Sequence, residues 1–193
     1  MNWHSTRWKV LGNLVGYQLV WFTAVIGAGR DEAWPAIGGA LLFATWQLVT
    51  TSSRALELRL IAAALLFGTT IDGVAAAGGL IHYSAAAPAL PPGGAPLWIL
   101  ALWMAFALTL TRSLAWLKGR PQIGMLLGAI GAPLAYLGAA RGWHAVAFAQ
   151  PEWRGLLWLA AAWAGSTTAL VRLLTRGLHP PRSAHLSCQS SRQ

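Results

Sequence analysis

The stretch Leu60–Tyr83 reads LIAAALLFGTTIDGVAAAGGLIHY, with Asp72 as its only acidic or basic residue apart from His82. An α-helix rises about 1.5 Å per residue, so a run of this length crosses a hydrocarbon core about 30 Å thick. Five further apolar stretches accompany it, near Val10–Ala28, Ala36–Thr51, Leu97–Leu117, Ile123–Ala140 and Leu156–Leu174. A helix lying on a soluble core carries a polar face, and these stretches do not show one. The expected fold class is therefore all-α, a polytopic transmembrane bundle of about six helices.

Composition agrees. Charged residues make up 10% of the 193-residue chain and hydrophobic ones 56%, where soluble domains carry about 25% charged residues. Six helices occupy most of the length and leave no room for a second domain. The expected organisation is a basic cytoplasmic arm at residues 1–9, a transmembrane helical domain at 10–176 and a disordered cytoplasmic tail at 177–193.

The net charge of +9 invites a nucleic-acid reading, which the placement of the charges opposes. With the N-terminus cytoplasmic, the inner segments hold Arg7, Lys9, Arg54, Arg59, Arg112, Lys118, Arg120, Arg172, Arg176, Arg182 and Arg192. The outer segments hold only Arg30, Arg141 and Arg154. Such an inside excess orients membrane proteins and leaves no basic face interleaved with aromatics. Both termini are then expected inside. Membrane lipids and a membrane-protein partner are the expected associates, and nucleic acid is not. The first stretch is longer than the roughly 7–15 apolar residues of a signal peptide, so it reads as an uncleaved helix. The tryptophans near stretch ends, Trp34, Trp98, Trp116, Trp143 and Trp153, suit the head-group zone.

Glycines mark close packing. Gly12-x-x-x-Gly16, Gly124-x-x-x-Gly128 and Gly138-x-x-x-Gly142 let backbones approach where lipid supplies no hydrophobic drive. The fifth stretch also holds Gly131 and Pro133 and is expected to be central and kinked.

The candidate chemistry is sparse. Asp72 sits about 18 Å into its stretch, near the expected midplane, where a carboxyl must be paired, protonated or wetted. It is the leading candidate for binding a substrate or proton. Gln18, Tyr136 and Arg112 are further substrate-binding candidates. Gln18 is near mid-depth, Tyr136 is in the outer half of the fifth stretch, and Arg112 is a turn from the inner end of the fourth. Asn13, Gln18 and Gln47 add amides to the first two helices, and structural use, by hydrogen bonds across helices, is the favoured reading for them, Gln18 included. The depth difference argues against direct contact between Asp72 and Arg112. No metal motif joins His4, His82, His144, His179 and His185, no nucleophilic triad surrounds Ser113, and no cofactor motif is evident. The one cysteine, Cys188 in the tail, excludes an intramolecular disulfide.

Three regions resemble a known family. They are Asn13–Gly29 with Gln18 and Trp21, Glu57–Asp72, and above all Pro96–Arg141. The last contains Leu97-Trp98-Ile99-Leu100-Ala101-Leu102-Trp103, Thr109-Leu110-Thr111-Arg112-Ser113-Leu114-Ala115-Trp116-Leu117 and Gly128-Ala129-Ile130-Gly131-Ala132-Pro133-Leu134-Ala135-Tyr136. Over roughly residues 10–175 the chain resembles the domain of unknown function 2878 family of small proteobacterial inner-membrane proteins. The resemblance implies a multi-pass location in the bacterial inner membrane and tilts the reading toward membrane lipid metabolism. Arg112 stands where the family carries Asn or His, which makes it a poor catalytic candidate. Three functions remain in view: a non-catalytic accessory or scaffold component, a small carrier or flippase using Asp72, and an intramembrane lipid-modifying enzyme.

Overall fold

A computed structural model describes residues 3–177, with side chains described from Arg7 onward. The tail from residue 178, with His179, His185 and Cys188, lies outside the described residues.

Six helices form the bundle: α1 (Trp3–Ala28), α2 (Trp34–Thr50), α3 (Arg54–Ala77), α4 (Leu97–Thr109), α5 (Pro121–Trp143) and α6 (Trp153–Gly177). Four of them are long and apolar enough to cross a membrane: α1 from Arg7 to Ala28, α3, α5 and α6. Pro35 and Pro121 sit in first turns, where a missing N–H costs nothing. Four short strands add to the all-α plan. β1 (Ile81–Tyr83) pairs antiparallel with β4 (Val146–Phe148), and β2 (Ala89–Leu90) with β3 (Ala95–Pro96). All four lie at one end of the bundle, here called the strand end. The opposite end carries the start of α1 and the end of α6.

The bundle is a transmembrane architecture. Leu11, Leu14, Val15 and Leu19 of α1, Leu42 and Val49 of α2, Leu66 of α3, and Leu126, Ile130 and Leu134 of α5 all face outward. In water they would form an apolar patch far beyond what a soluble monomer exposes, whereas in lipid they are at home. The core runs through α3 and α4. α4 is buried nearly all round; it packs on α3, α2 and α1, while α6 joins α3 to α5.

Four expectations need correction. First, α3 runs from Arg54 to Ala77 rather than from Leu60 to Tyr83. Gly78 and Gly79, the latter at φ +63°, end the helix, and Glu57 lies in its first turn, where the helix dipole favours an acid. Second, the fourth apolar stretch is not one continuous helix. α4 ends at Thr109, about 20 Å from its start, and turns with a short 3-10 segment, Ala115–Leu117, complete the path. Third, α5 is peripheral: Gly124, Gly128, Ala132, Tyr136 and Ala139 form one buried stripe, and Ile123, Leu126 and Ile130 are exposed. It is one continuous helix through Pro133. Fourth, Trp98 is a core residue, its indole N–H donating to the Ser84 carbonyl at 2.9 Å, whereas Trp34, Trp116 and Trp153 are exposed as expected.

The glycine stripes pack as their spacing suggests in two of three cases. A Cβ at Gly12 would meet Trp46 at 3.3 Å, and one at Gly16 would meet Phe43 at 2.8 Å, so α1 sits on α2 through them. Gly124 and Gly128 let α5 onto α6 at Val171, Thr167 and Trp163. Gly142 has nothing within 4 Å of a built Cβ and Gly138 meets only the Trp21 ring of α1 at 3.8 Å, so the third motif does not bring two backbones together. α6 does carry polar residues along one side. Ser166 and Thr167 are turned inward and buried, and Thr168 and Thr175 bond their own helix carbonyls at 2.7 and 2.8 Å, which satisfies hydroxyls within lipid depth.

Candidate functional site

α3 presents Glu57, Ile61, Ala64, Gly68 and Asp72 on one buried stripe, spaced by three or four residues as a single helix face requires. α4 docks against this stripe. At Gly68 a Cβ would fall onto the Trp103 indole, so the missing side chain admits the ring. The ring in turn directs its N–H to Asp72 Oδ2 at 2.7 Å. β1 brings in Tyr83, whose hydroxyl donates to Asp72 Oδ1 at 2.8 Å. α5 brings in Tyr136, which donates to the same oxygen at 2.5 Å. Three donors from three elements thus converge on one fully buried carboxyl, an arrangement suited to an acceptor-only group. Asp72 lies five residues before the end of α3, about 8 Å along the axis, in the third nearest the strand end rather than at the helix midpoint. Gly73, its other flanking glycine, faces the β2–β3 turn at Ala95 and not a helix.

Beside this centre lies a cavity of about 520 Å³, within the roughly 300–1,000 Å³ typical of ligand sites. It fills the gap where α1 and α5 barely touch. Its back wall is aromatic. Trp103 and Trp163 stack with ring centroids 3.9 Å apart, and Phe106 sets its edge on Trp163 at 5.3 Å. Leu14 and Gln18 on α1 and Leu127 and Leu134 on α5 line it and are also exposed on the outside of the bundle. The mouth therefore opens sideways, between α1 and α5, onto the apolar outer surface of the bundle. Among the described residues, no Asp, Glu, Lys, Arg or His lines it. Its polar contributors include Tyr17, Gln18, Thr109, Ser113 and Tyr136.

A second polar centre stabilises the break after α4. The Leu108 carbonyl loses its helical partner, because the Arg112 N–H turns to Thr109 O at 3.1 Å. Asn13 and Gln47 replace it, donating to Leu108 O at 3.3 and 3.1 Å. Asn13 Oδ1 accepts from the Ser113 N–H at 3.2 Å and its hydroxyl at 2.6 Å. Thr111 donates to the buried Glu57 at 3.0 Å. Irregular backbone inside a membrane protein persists where such partners satisfy it, so the two amides are structural, as their sequence positions suggest.

Of the four candidates, the structure brings Asp72 and Tyr136 together. Gln18 stands across the cavity at its mouth and makes no hydrogen bond among the described residues. Arg112 does not reach Asp72. It donates to Thr50 Oγ1 at 2.7 Å and the Gln47 carbonyl at 3.4 Å, and its guanidinium lies 5.3 Å from the centre of the Trp46 ring. Among the described residues no three of His, Cys, Asp and Glu gather as a metal site. Sequence reasoning did not single out Trp103, Trp163, Tyr17, Tyr83 or Glu57. The available signal was position: Trp103 and Trp163 lie mid-helix, far from the interfaces that tryptophan favours; the Trp103 N–H finds Asp72, whereas the buried Trp163 N–H has no partner among the described residues.

The model for proteins of unknown function DUF2878 matches residues 10–169, and the chain belongs to that family. No curated protein and no solved structure matches it.

Proposed function

We propose that this DUF2878 member is a non-catalytic accessory component of membrane lipid metabolism that takes a lipophilic molecule from the surrounding lipid into the cavity between α1 and α5. One observation carries the reading: a cavity of ligand size, walled by aromatic and aliphatic side chains, whose mouth is framed by lipid-facing residues of two helices. A soluble ligand would have to cross hydrocarbon to enter, whereas a lipid needs only to move sideways. Asp72 supports the site from behind by fixing Tyr136 and Trp103, which both line it. Its two oxygens are already engaged by three donors, which favours a supporting role over that of a carrier's substrate ligand.

The proposed location is the bacterial inner membrane, with both termini cytoplasmic. The helix order supports this orientation. It gathers Arg7, Lys9, Arg54, Arg59, Lys118, Arg120, Arg172 and Arg176 at the end opposite the strands and leaves Arg30, Arg141 and Arg154 at the strand end, as the positive-inside rule requires.

The test is extraction of the full chain in mild detergent, followed by mass spectrometry of small molecules released on denaturation. A lipophilic species recovered at about one per chain, and enriched over bulk lipid, is the expected result. Recovery of bulk phospholipid alone, in bulk proportions, would contradict the reading.

A further inference from the structure

The lining of the cavity also restricts the chemistry of its occupant, an inference that rests on the lipid-binding reading above. With no charged side chain among the described residues on its walls, those walls offer nothing to neutralise a phosphate, carboxylate or ammonium, and an unpaired charge buried among aromatic rings is strongly disfavoured. The occupying part of the ligand is therefore uncharged.

The hydroxyls narrow it further. The Tyr136 proton is committed to Asp72 Oδ1, so toward any other partner its phenolic oxygen acts as an acceptor. The Thr109 proton goes to the Phe106 carbonyl at 2.6 Å and the Ser113 proton to Asn13 at 2.6 Å, which leaves those oxygens as acceptors too. Tyr17 differs. It lines the same cavity from α1, its ring centroid 6.4 Å from that of Phe106 on the aromatic wall, and makes no hydrogen bond among the described residues. It is free to donate. The polar set therefore presents several committed acceptors, a free phenol and, at the mouth, the Gln18 amide, and a group that both donates and accepts matches it.

We propose that the cavity binds a neutral long-chain lipid alcohol, its hydroxyl donating to the Tyr136 oxygen and accepting from Tyr17, its chain lying against Trp103, Trp163 and Phe106 and leaving through the mouth between α1 and α5.

The experiment uses the purified full chain in nanodiscs and reads quenching of the cavity tryptophans by mid-chain-brominated probes of equal length: hexadecanol, its methyl ether and hexadecyl phosphate. The alcohol is expected to bind about three- to tenfold more tightly than the ether, which accepts but cannot donate, and about a hundredfold or more above the phosphate. Tyr17→Phe, which removes a hydroxyl without a protein partner, is expected to weaken the alcohol several-fold and to leave the folded fraction unchanged. Asp72→Asn gives a second reading. An amide that points its oxygen at Trp103 turns its NH2 to the tyrosines, so the Tyr136 proton is released toward the cavity and the alcohol's advantage over the ether shrinks or reverses. Equal binding of alcohol and ether by the native chain, phosphate binding as tight as the alcohol, or an unchanged affinity in Tyr17→Phe would overturn the assignment while leaving a lipid site in place. Failure of every probe to quench would overturn the lipid-binding reading itself.

Discussion

Replacing Asp72 by leucine keeps the side chain's approximate size and removes every acceptor at the centre of the three-donor cluster. The bonds from Tyr83, Trp103 and Tyr136 are 2.8, 2.7 and 2.5 Å long and come from three elements, so their loss is felt across α3, α4, α5 and β1. Hydrogen bonds between membrane helices contribute about 0.6 kcal/mol on average and up to about 1.7. Three of them place the destabilisation at about 2–5 kcal/mol. Part of the cluster can recover, because the two tyrosines can bond each other, but the Trp103 N–H is donor-only and stays stranded. The assay is equilibrium unfolding in mixed micelles by added denaturing detergent, followed by far-UV circular dichroism. Asp72→Leu combined with Tyr83→Phe and Tyr136→Phe is expected to recover part of the loss, since fewer buried donors then lack partners. A single Asp72→Leu within about 0.5 kcal/mol of the native chain, the range of an ordinary surface change, would refute the claim that this carboxyl fastens the helices together.

Two further outcomes follow from the packing. A Cβ at Gly128 would fall onto the Trp163 carbonyl and the Thr167 hydroxyl, so Gly128→Ala is expected to force α5 from α6 and cost about 1–3 kcal/mol in the same unfolding assay; no measurable change would mean that the two helices are not in close contact there. Gln47→Leu removes a donor to the orphaned Leu108 carbonyl and is expected to cost about 1–3 kcal/mol. Amide exchange at Arg112 and Ser113 should rise with it, and unchanged exchange would mean that the break after α4 does not depend on this amide.

Much of the bundle could be read from hydropathy, because a membrane-spanning helix is declared by length and apolarity alone. The errors arose where another local rule competes with that signal. The Gly78–Gly79 pair stops α3 six residues before its apolar run ends, and the helix recovers that length at its start by taking in Glu57. Thr109–Ser113 is embedded in an apolar stretch, yet its hydroxyls and Arg112 find partners on α1, α2 and α3 that make a broken helix tolerable. α5 looked central because it is rich in glycine, but only Gly124 and Gly128 face its main neighbour, α6, while Gly131 and Gly142 meet nothing within 4 Å of a built Cβ. The candidate site was half legible. Asp72 announces itself as an acid among apolar residues, and Tyr136 was named beside it. Their meeting depends on β1 and β4 closing the strand end and on the register of α5 against α3, which are long-range facts that no local pattern encodes. The cavity is a product of helix splay, and its neutral lining became visible only once the helices were in place.

The most direct test of the central claim fills the cavity. Gly131 lines it, and a Cβ built there meets nothing within 4 Å, so a larger side chain can enter without displacing a neighbour. In nanodiscs, quenching of the cavity tryptophans by brominated hexadecanol should persist in Gly131→Ala, weaken in Gly131→Leu and be lost in Gly131→Phe, with unfolding midpoints close to that of the native chain. Undiminished quenching in a folded Gly131→Phe chain would show that the lipid binds elsewhere and would contradict the cavity as its site.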